Sequence, residues 1–261
     1  MAHESSHWYS LHVSGRTCRR VLVIDDDELS REVLSLLLVG EGYSVDVTGS
    51  GEEALLSVGN ADAAPDIVLI DMQMPGISGE ELGRRLRELC DASTQLIAMS
   101  GSRSEAGESR AFDAFLLKPF SIAEFGRTLE ARGGRPWPEV SEAGRDIASP
   151  EEVLDQQIFK AFEARVGKEP LRELYGLCLS DAGKQLTAMR GAVAASDDAA
   201  FRKSAHTIKG SLGMLGAREL QGRCGLLEEV GLNGAYAATL ADFPAALERL
   251  RGMLIALGVQ L

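Results

Sequence analysis

The sequence predicts a doubly wound parallel α/β sheet followed by an antiparallel helical bundle. Three observations predict it. Residues 1–132 alternate short apolar runs with helical patterns, residues 133–261 carry helical periodicity only, and a Gly/Pro-rich stretch separates the two. Short, continuous, β-rich runs without alternation are the mark of strands covered on both faces. Repeated strand–helix units lay such strands side by side in parallel.

The elements follow in order. Val21-Leu22-Val23-Ile24 is the first strand and ends in Asp25-Asp26-Asp27. A helix over 28–40 follows, with Asp27 and Glu28 suited to its N-terminus. Ser44-Val45-Asp46-Val47 is a weaker strand, succeeded by a helix over 51–59. Ile67-Val68-Leu69-Ile70 ends in Asp71 and leads to a helix over 78–90. Leu96-Ile97-Ala98-Met99 ends in Ser100-Gly101, and the helix expected over 104–111 is a poor one. Phe115-Leu116-Leu117 ends in Lys118-Pro119, before a last helix over 121–132. Gly133-Gly134-Arg135-Pro136-Trp137-Pro138 then stops regular structure. The bundle reads as helices near 155–166, 169–194, 198–215, 217–230 and 240–257. The expected boundaries are a flexible tail at 1–19, an α/β domain at 20–132, a linker at 133–153 and a helical domain at 154–261.

The chain has 261 residues, 27 Lys+Arg against 39 Asp+Glu, and a net charge of −12. Residues 1–132 hold 22 acids and 12 bases, and the remainder 17 and 15, so the acid excess sits in the α/β half. An acidic chain lacks the basic face that phosphate neutralisation needs, so nucleic acid is not an expected partner. Cys18, Cys90, Cys178 and Cys224 form no CxxC and read as free thiols of a reducing compartment. Leu36-Leu37-Leu38-Val39 is too short to cross a bilayer, and residues 1–20 hold no signal-peptide core. The expectation is a soluble, cytoplasmic protein with no membrane partner.

Open α/β sheets bind ligands at the carboxyl ends of their strands. Asp25, Asp26, Asp71, Ser100 and Lys118 all fall at such ends. A lone Asp after a strand is ordinarily a turn or cap residue. Four strand ends carrying these residue types together are not ordinary. Gathered carboxylates repel unless a cation neutralises them, and oxygen ligands of this kind suit Mg²⁺. Lys118 adds fixed positive charge and Ser100 a hydroxyl. This is equipment for phosphoryl transfer, with the carboxylate beside the metal as nucleophile.

With those residues in place, 20–132 resembles a response-regulator receiver domain, an α/β flavodoxin-like (βα)5 fold. The acidic pair matches Asp25-Asp26, the phosphoacceptor motif matches Asp71-Met72-Gln73-Met74-Pro75-Gly76, and the remaining positions match Ser100, Phe115 and Lys118. The resemblance implies that Asp71 is phosphorylated. It implies Mg²⁺ held by Asp26, Asp71 and the backbone carbonyl of Gln73, with Asp25 acting largely through water. It also implies that Phe115 turns inward when Ser100 moves toward the phosphoryl group, and that Gln73 and Ser102 occupy the positions tuning hydrolysis.

The bundle holds one histidine; His3, His7 and His12 lie in the tail. On a helix over 198–215, Phe201, Ala205, Ile208, Leu212 and Leu215 form the core stripe. His206 lies roughly 140° from the stripe's centre, with Gly210 and Gly213 at roughly 180° and 120°. Lys209, Arg202 and Lys203 surround it at roughly 80°, 100° and 200°. Each helical glycine costs about 1 kcal/mol relative to Ala, which points to something approaching the backbone closely. Cations around an exposed imidazole suit an added phosphoryl group.

Ala205-His206-Thr207-Ile208-Lys209-Gly210-Ser211, continuing to Leu215-Gly216, resembles a histidine-containing phosphotransfer (HPt) domain. The resemblance covers 154–261 and implies a four-helix bundle with an additional N-terminal helix. His206 would carry the phosphoryl group and Lys209 would stabilise it. Gly210 would make room for a docking receiver, with Gly213 beside it.

No Gly-x-x-x-x-Gly-Lys-Ser/Thr loop, ATP-binding kinase domain or helix-turn-helix is expected. The reading is a phosphorelay intermediate: a histidine kinase phosphorylates Asp71, the group passes to His206, and a downstream receiver takes it. A linker of about 20 residues spans roughly 25 Å, which permits exchange within or between chains. Two alternatives stay open: a binding switch governed by Asp71, and a drain in which His206 collects phosphoryl groups that Asp71 hydrolyses.

Overall fold

The computed structural model describes residues 18–60, 64–101, 111–130 and 152–261. The expected helix over 104–111 (save Ala111), residue 102, the tail through residue 17 with its three histidines, and most of the 133–153 linker lie outside these residues. The chain divides into two compact units, one α/β and one helical.

In the first unit the strands are β1 (Arg20–Ile24), β2 (Ser44–Thr48), β3 (Ile67–Asp71), β4 (Gln95–Ser100) and β5 (Ala114–Leu117). They pair in parallel in the order β2-β1-β3-β4-β5. Helices α1 (Glu28–Gly40), α2 (Gly51–Gly59), α3 (Gly79–Leu89) and α4 (Ile122–Glu130) complete it. This strand order is that of the flavodoxin-like doubly wound fold, whose topological switch lies between β1 and β3. The central strands are buried on both faces, with Val21, Val23, Ile24, Ile67, Val68, Leu69 and Ile70 at 0 % exposure. That is why they read as unbroken apolar runs. The edge strand β2 buries only Thr48, and its sequence is correspondingly weaker.

Local signals set the helix starts. Asp27, Ser50 and Ser78 each accept a backbone N–H from the first turn of α1, α2 and α3. Gly79 opens α3 against the loop after β3: a Cβ there would stand 2.7 Å from Met72 Sδ and 3.0 Å from Met72 Cα. The glycine lets α3 close onto the segment just past Asp71.

The helical unit comprises α5 (Gln156–Val166), α6 (Lys168–Ala195), α7 (Asp198–Met214), α8 (Arg218–Val230) and α9 (Tyr236–Ala256), with a 3-10 turn at Gly231–Asn233. The helices α6, α7, α8 and α9 pack as successive neighbours around Leu174, Tyr175, Met189, Phe201, Ile208, Leu212, Leu227, Phe243 and Leu250. The fully buried Tyr175 donates its hydroxyl to the Leu215 carbonyl at 2.7 Å, tying α6 to the end of α7. Asp155 caps α5 and pairs with Arg218 at 2.9 Å. The last helix begins at Tyr236, a turn before the position read from sequence. Tyr236 meets Phe201 edge to face, ring centroids 5.4 Å apart, and this packing recruits the extra turn. Pro244 is accommodated inside α9.

Candidate functional site

The register of the sheet brings the strand ends together. Ile24 pairs with Ile70, Asp71 with Met99, and Ser100 with Leu117. Asp25 and Asp26 leave β1, Asp71 closes β3, Ser100 closes β4 and Lys118 follows β5, so all occupy one edge. One carboxylate oxygen each from Asp25, Asp26 and Asp71 lie within 4.8 Å of one another. Asp25 is 1 % exposed and Asp71 4 %, while Asp26 is half-buried.

Backbone groups fix two of these side chains. Asp25 Oδ1 accepts the Asp27 N–H at 2.9 Å, and Asp71 Oδ1 accepts the Gln73 N–H at 3.2 Å. Arg31, from α1, donates to the Asp25 carbonyl at 2.6 Å and braces the β1 terminus. Ser100 and Lys118 are both buried, and the Lys118–Pro119 peptide is cis. Phe115 is half-buried and stands edge to face with Phe112, centroids 5.6 Å apart.

In the helical unit the expected core stripe of α7 is buried throughout, and His206 is on another side of that helix. Its imidazole is half-buried rather than fully solvent-facing, with 20 % of the side chain exposed. Nδ1 lies 2.8 Å from Glu228 Oε1 of α8, and Lys209 Nζ lies 2.9 Å from Glu228 Oε2. Burial opposes ionisation of Glu228, but the hydrogen bonds and charges of His206 and Lys209 outweigh it and hold the carboxyl below its usual range. An ionised carboxylate only accepts, so Nδ1 carries the proton and the Nε2 lone pair is the one left for chemistry.

Residues 21–130 match the family model of the response regulator receiver domain, and residues 173–259 match that of the Hpt domain. The chain joins a receiver domain to an Hpt domain. Curated relatives include the DNA-binding response regulator MtrA of Mycolicibacterium smegmatis, 32 % identical over 128 residues, covering 48 % of this chain and 54 % of that one. The phosphate regulon regulator PhoB of Rhizobium meliloti is 32 % identical over 126 residues, covering 46 % and 55 %. The chain thus spans about half the length of the curated relatives it matches. Among solved structures, a CheY-like receiver domain from Methylobacillus flagellatus is 29 % identical, with a TM-score of 0.41, and covers 44 % of this chain and 98 % of that one. The response regulator TrrA of Thermotoga maritima, solved in complex with Mg(2+)-BeF, is 32 % identical, with a TM-score of 0.39, covering 43 % and 96 %. The receiver and Hpt matches together support a role in two-component phosphorelay signalling.

Receiver domains bind Mg²⁺ through acidic residues, and this receiver gathers three carboxylates of the hard-oxygen type that ion prefers. The donor set fits. No helix among the described residues is long and apolar enough to cross a membrane.

Sequence reasoning missed Glu228 of the Hpt domain. The α8 stripe of Leu220, Cys224 and Leu227 turns toward the bundle, and Glu228 follows Cys224 by four residues. An acid at the margin of an apolar stripe was the available signal. Two other positions differ from the sequence geometry. Gly213 is buried, and a Cβ there would stand 3.3 Å from Gln221 Cγ of α8. Arg202 is not a spare cation beside His206. Its guanidinium is engaged by Asp198 at 2.7 Å and by the Glu228 and Glu229 carbonyls. Lys209 keeps its place near the imidazole, and Gly210 is half-buried on the same helix.

Proposed function

We propose that the chain is a phosphorelay intermediate. Asp71 accepts a phosphoryl group from a histidine kinase and exchanges it with His206, which passes it to a downstream receiver. The observation that carries this reading is the presence, in one chain, of a gathered Asp25–Asp26–Asp71 cluster and an imidazole whose Nδ1 is held by a carboxylate.

Asp26, Asp71 and the Gln73 carbonyl would hold Mg²⁺, with Asp25 acting through water. Bound there, the ion neutralises charge on the phosphoryl oxygens. The chain's own groups do the remainder. Asp71 supplies the nucleophilic carboxylate oxygen. Lys118 places positive charge at the same edge, and Ser100 offers a hydroxyl to a phosphoryl oxygen as Phe115 turns inward. In the exchange, Nε2 of His206 attacks phosphorus as the phosphorus–oxygen bond to Asp71 breaks, and the carboxylate leaves with the electron pair. The ring retains its Nδ1 proton and becomes positively charged, facing the Glu228 carboxylate. Lys209 stabilises the phosphoryl oxygens, and Gly210 leaves room for the approaching receiver.

The test uses the full chain with labelled acetyl phosphate and Mg²⁺. Acid-labile, base-stable label is expected on His206, to vanish in Asp71→Asn, and to be replaced in His206→Gln by base-labile label on Asp71. Label on His206 that survives Asp71→Asn unchanged, or none on either residue, refutes the relay. Label that enters Asp71 and leaves only as inorganic phosphate identifies a drain.

A further inference from the structure

Arg202 is one of the three cations, with Lys209 and Lys203, that the sequence places around His206, yet its hydrogen bonds run the other way. Nε donates to Asp198 Oδ2 at 2.7 Å, while Nη1 reaches the Glu228 carbonyl and lies 2.9 Å from the Glu229 carbonyl. These are two of the carbonyls that a helix C-terminus leaves without intrahelical partners. Asp198 completes the arrangement by accepting the Leu232 N–H at 2.6 Å with its other oxygen. Gly231, at φ +56°, passes so close that any Cβ would collide with the Arg202 guanidinium and the Asp198 carboxylate. The first turn of α7 and the last turn of α8 are thereby fastened at one node. The residue held there by its backbone, Glu228, is the one whose side chain reaches His206 Nδ1 and Lys209.

We infer that Arg202, anchored by Asp198, is a positioning residue that fixes Glu228 against His206 and so directs phosphorylation to Nε2. The inference rests on the phosphorelay reading and deepens it. The fork of a guanidinium suits two adjacent carbonyls and a carboxylate at once, which an ammonium could not span. With the node intact, the Glu228 carboxylate holds the proton on Nδ1 and keeps that nitrogen from attacking. With the node broken, the end of α8 is free to shift, the Nδ1 hydrogen bond weakens, and both ring nitrogens become nucleophilic.

Phosphoramidate, a donor that needs no protein partner, tests this on the full chain. A ring nitrogen's lone pair forms the new nitrogen–phosphorus bond as that of phosphoramidate breaks, and ammonia departs. Phosphorus NMR separates Nε2- from Nδ1-phosphohistidine, and His206→Gln subtracts the signals of His3, His7 and His12. The unsubstituted chain is expected to carry Nε2-phosphohistidine at position 206. Glu228→Ala should raise the Nδ1 share about tenfold, and Arg202→Gln about threefold, as a charge-assisted hydrogen bond is lost or weakened. Nitrogen-15 shifts of the unmodified ring should report the same order of tautomer change, which a general loss of stability would not produce. Should Arg202→Gln fail to fold, Asp198→Asn, on the first turn of α7, carries the test in the same direction. Unchanged selectivity in Arg202→Gln or Asp198→Asn, beside lost selectivity in Glu228→Ala, overturns the node while leaving the relay standing. Absence of any label on His206 in the unsubstituted chain overturns the relay itself.

Discussion

Replacing Asp26 by Asn removes one negative charge from the acidic edge of the receiver sheet. The three carboxylates present oxygens within 4.8 Å of one another, so each pair repels by about 3.5 kcal/mol or more at an effective dielectric constant near 20. Solvent around the half-buried Asp26 and the positive charge of Lys118 at the same edge reduce that figure. A net gain of about 1–3 kcal/mol is expected for the metal-free variant, a rise of about 5–15 °C in the melting temperature of a domain this size. Mg²⁺ should narrow this difference or reverse it. At a hundredfold excess over its dissociation constant it adds about 2.7 kcal/mol to the unsubstituted receiver, and less to a variant lacking a ligand. Scanning calorimetry on the full chain reads both effects, with the Hpt transition as an internal reference. A metal-free Asp26→Asn receiver that melts lower than the parent, or one that Mg²⁺ protects equally, would refute the argument that these carboxylates are held together for a cation.

Tyr175→Phe removes the donor that meets the Leu215 carbonyl in the bundle core and should cost about 1–3 kcal/mol; calorimetry should show the Hpt transition falling while the receiver transition holds. Gly79→Ala places a methyl group against Met72 Sδ and Cα and should destabilise the receiver by about 1–3 kcal/mol, with slowed labelling of Asp71 by acetyl phosphate as the loop shifts. Acid should unfold the Hpt domain early. Glu219 is held below its usual range by Arg249 and Arg223 against the cost of burial. Asp155 and Glu228 overcome a larger burial cost through Ile158 N–H and Arg218, and through His206 and Lys209. Groups with depressed folded values give stability that is complete above the unfolded carboxylate range, about pH 4, and lost as pH falls through the folded values. Circular dichroism across that interval should record the loss, and Glu228→Gln should make it shallower.

The sheet could be read closely because burial on both faces forces β1, β3 and β4 to be continuous apolar runs with polar residues only at their ends. Those ends are also where ligands bind, so Asp25, Asp26 and Asp71 were found by the same pattern that found the strands. The phosphotransfer helix was harder. Periodicity along α7 gives the angular position of His206 but says nothing of what α8 sets beside it. The margin of the α8 stripe marks Glu228, but its pairing with His206 depends on the register between the two helices. Arg202 was misassigned for the same reason: its charge is evident from sequence, whereas the carbonyls it caps belong to another helix. The start of α9 was set by the ring contact between Tyr236 and Phe201, which no local signal announces.

The parallel sheet separates two kinds of evolutionary freedom. In the receiver, the buried apolar core lies beneath the strand termini, and the chemical side chains hang from the rim they form. Substitutions in the rim loops can redirect whom the receiver converses with while Ile67 through Ile70 stay as they are. Descendants of such a scaffold can therefore change allegiance between signalling circuits without first having to find a new way to fold.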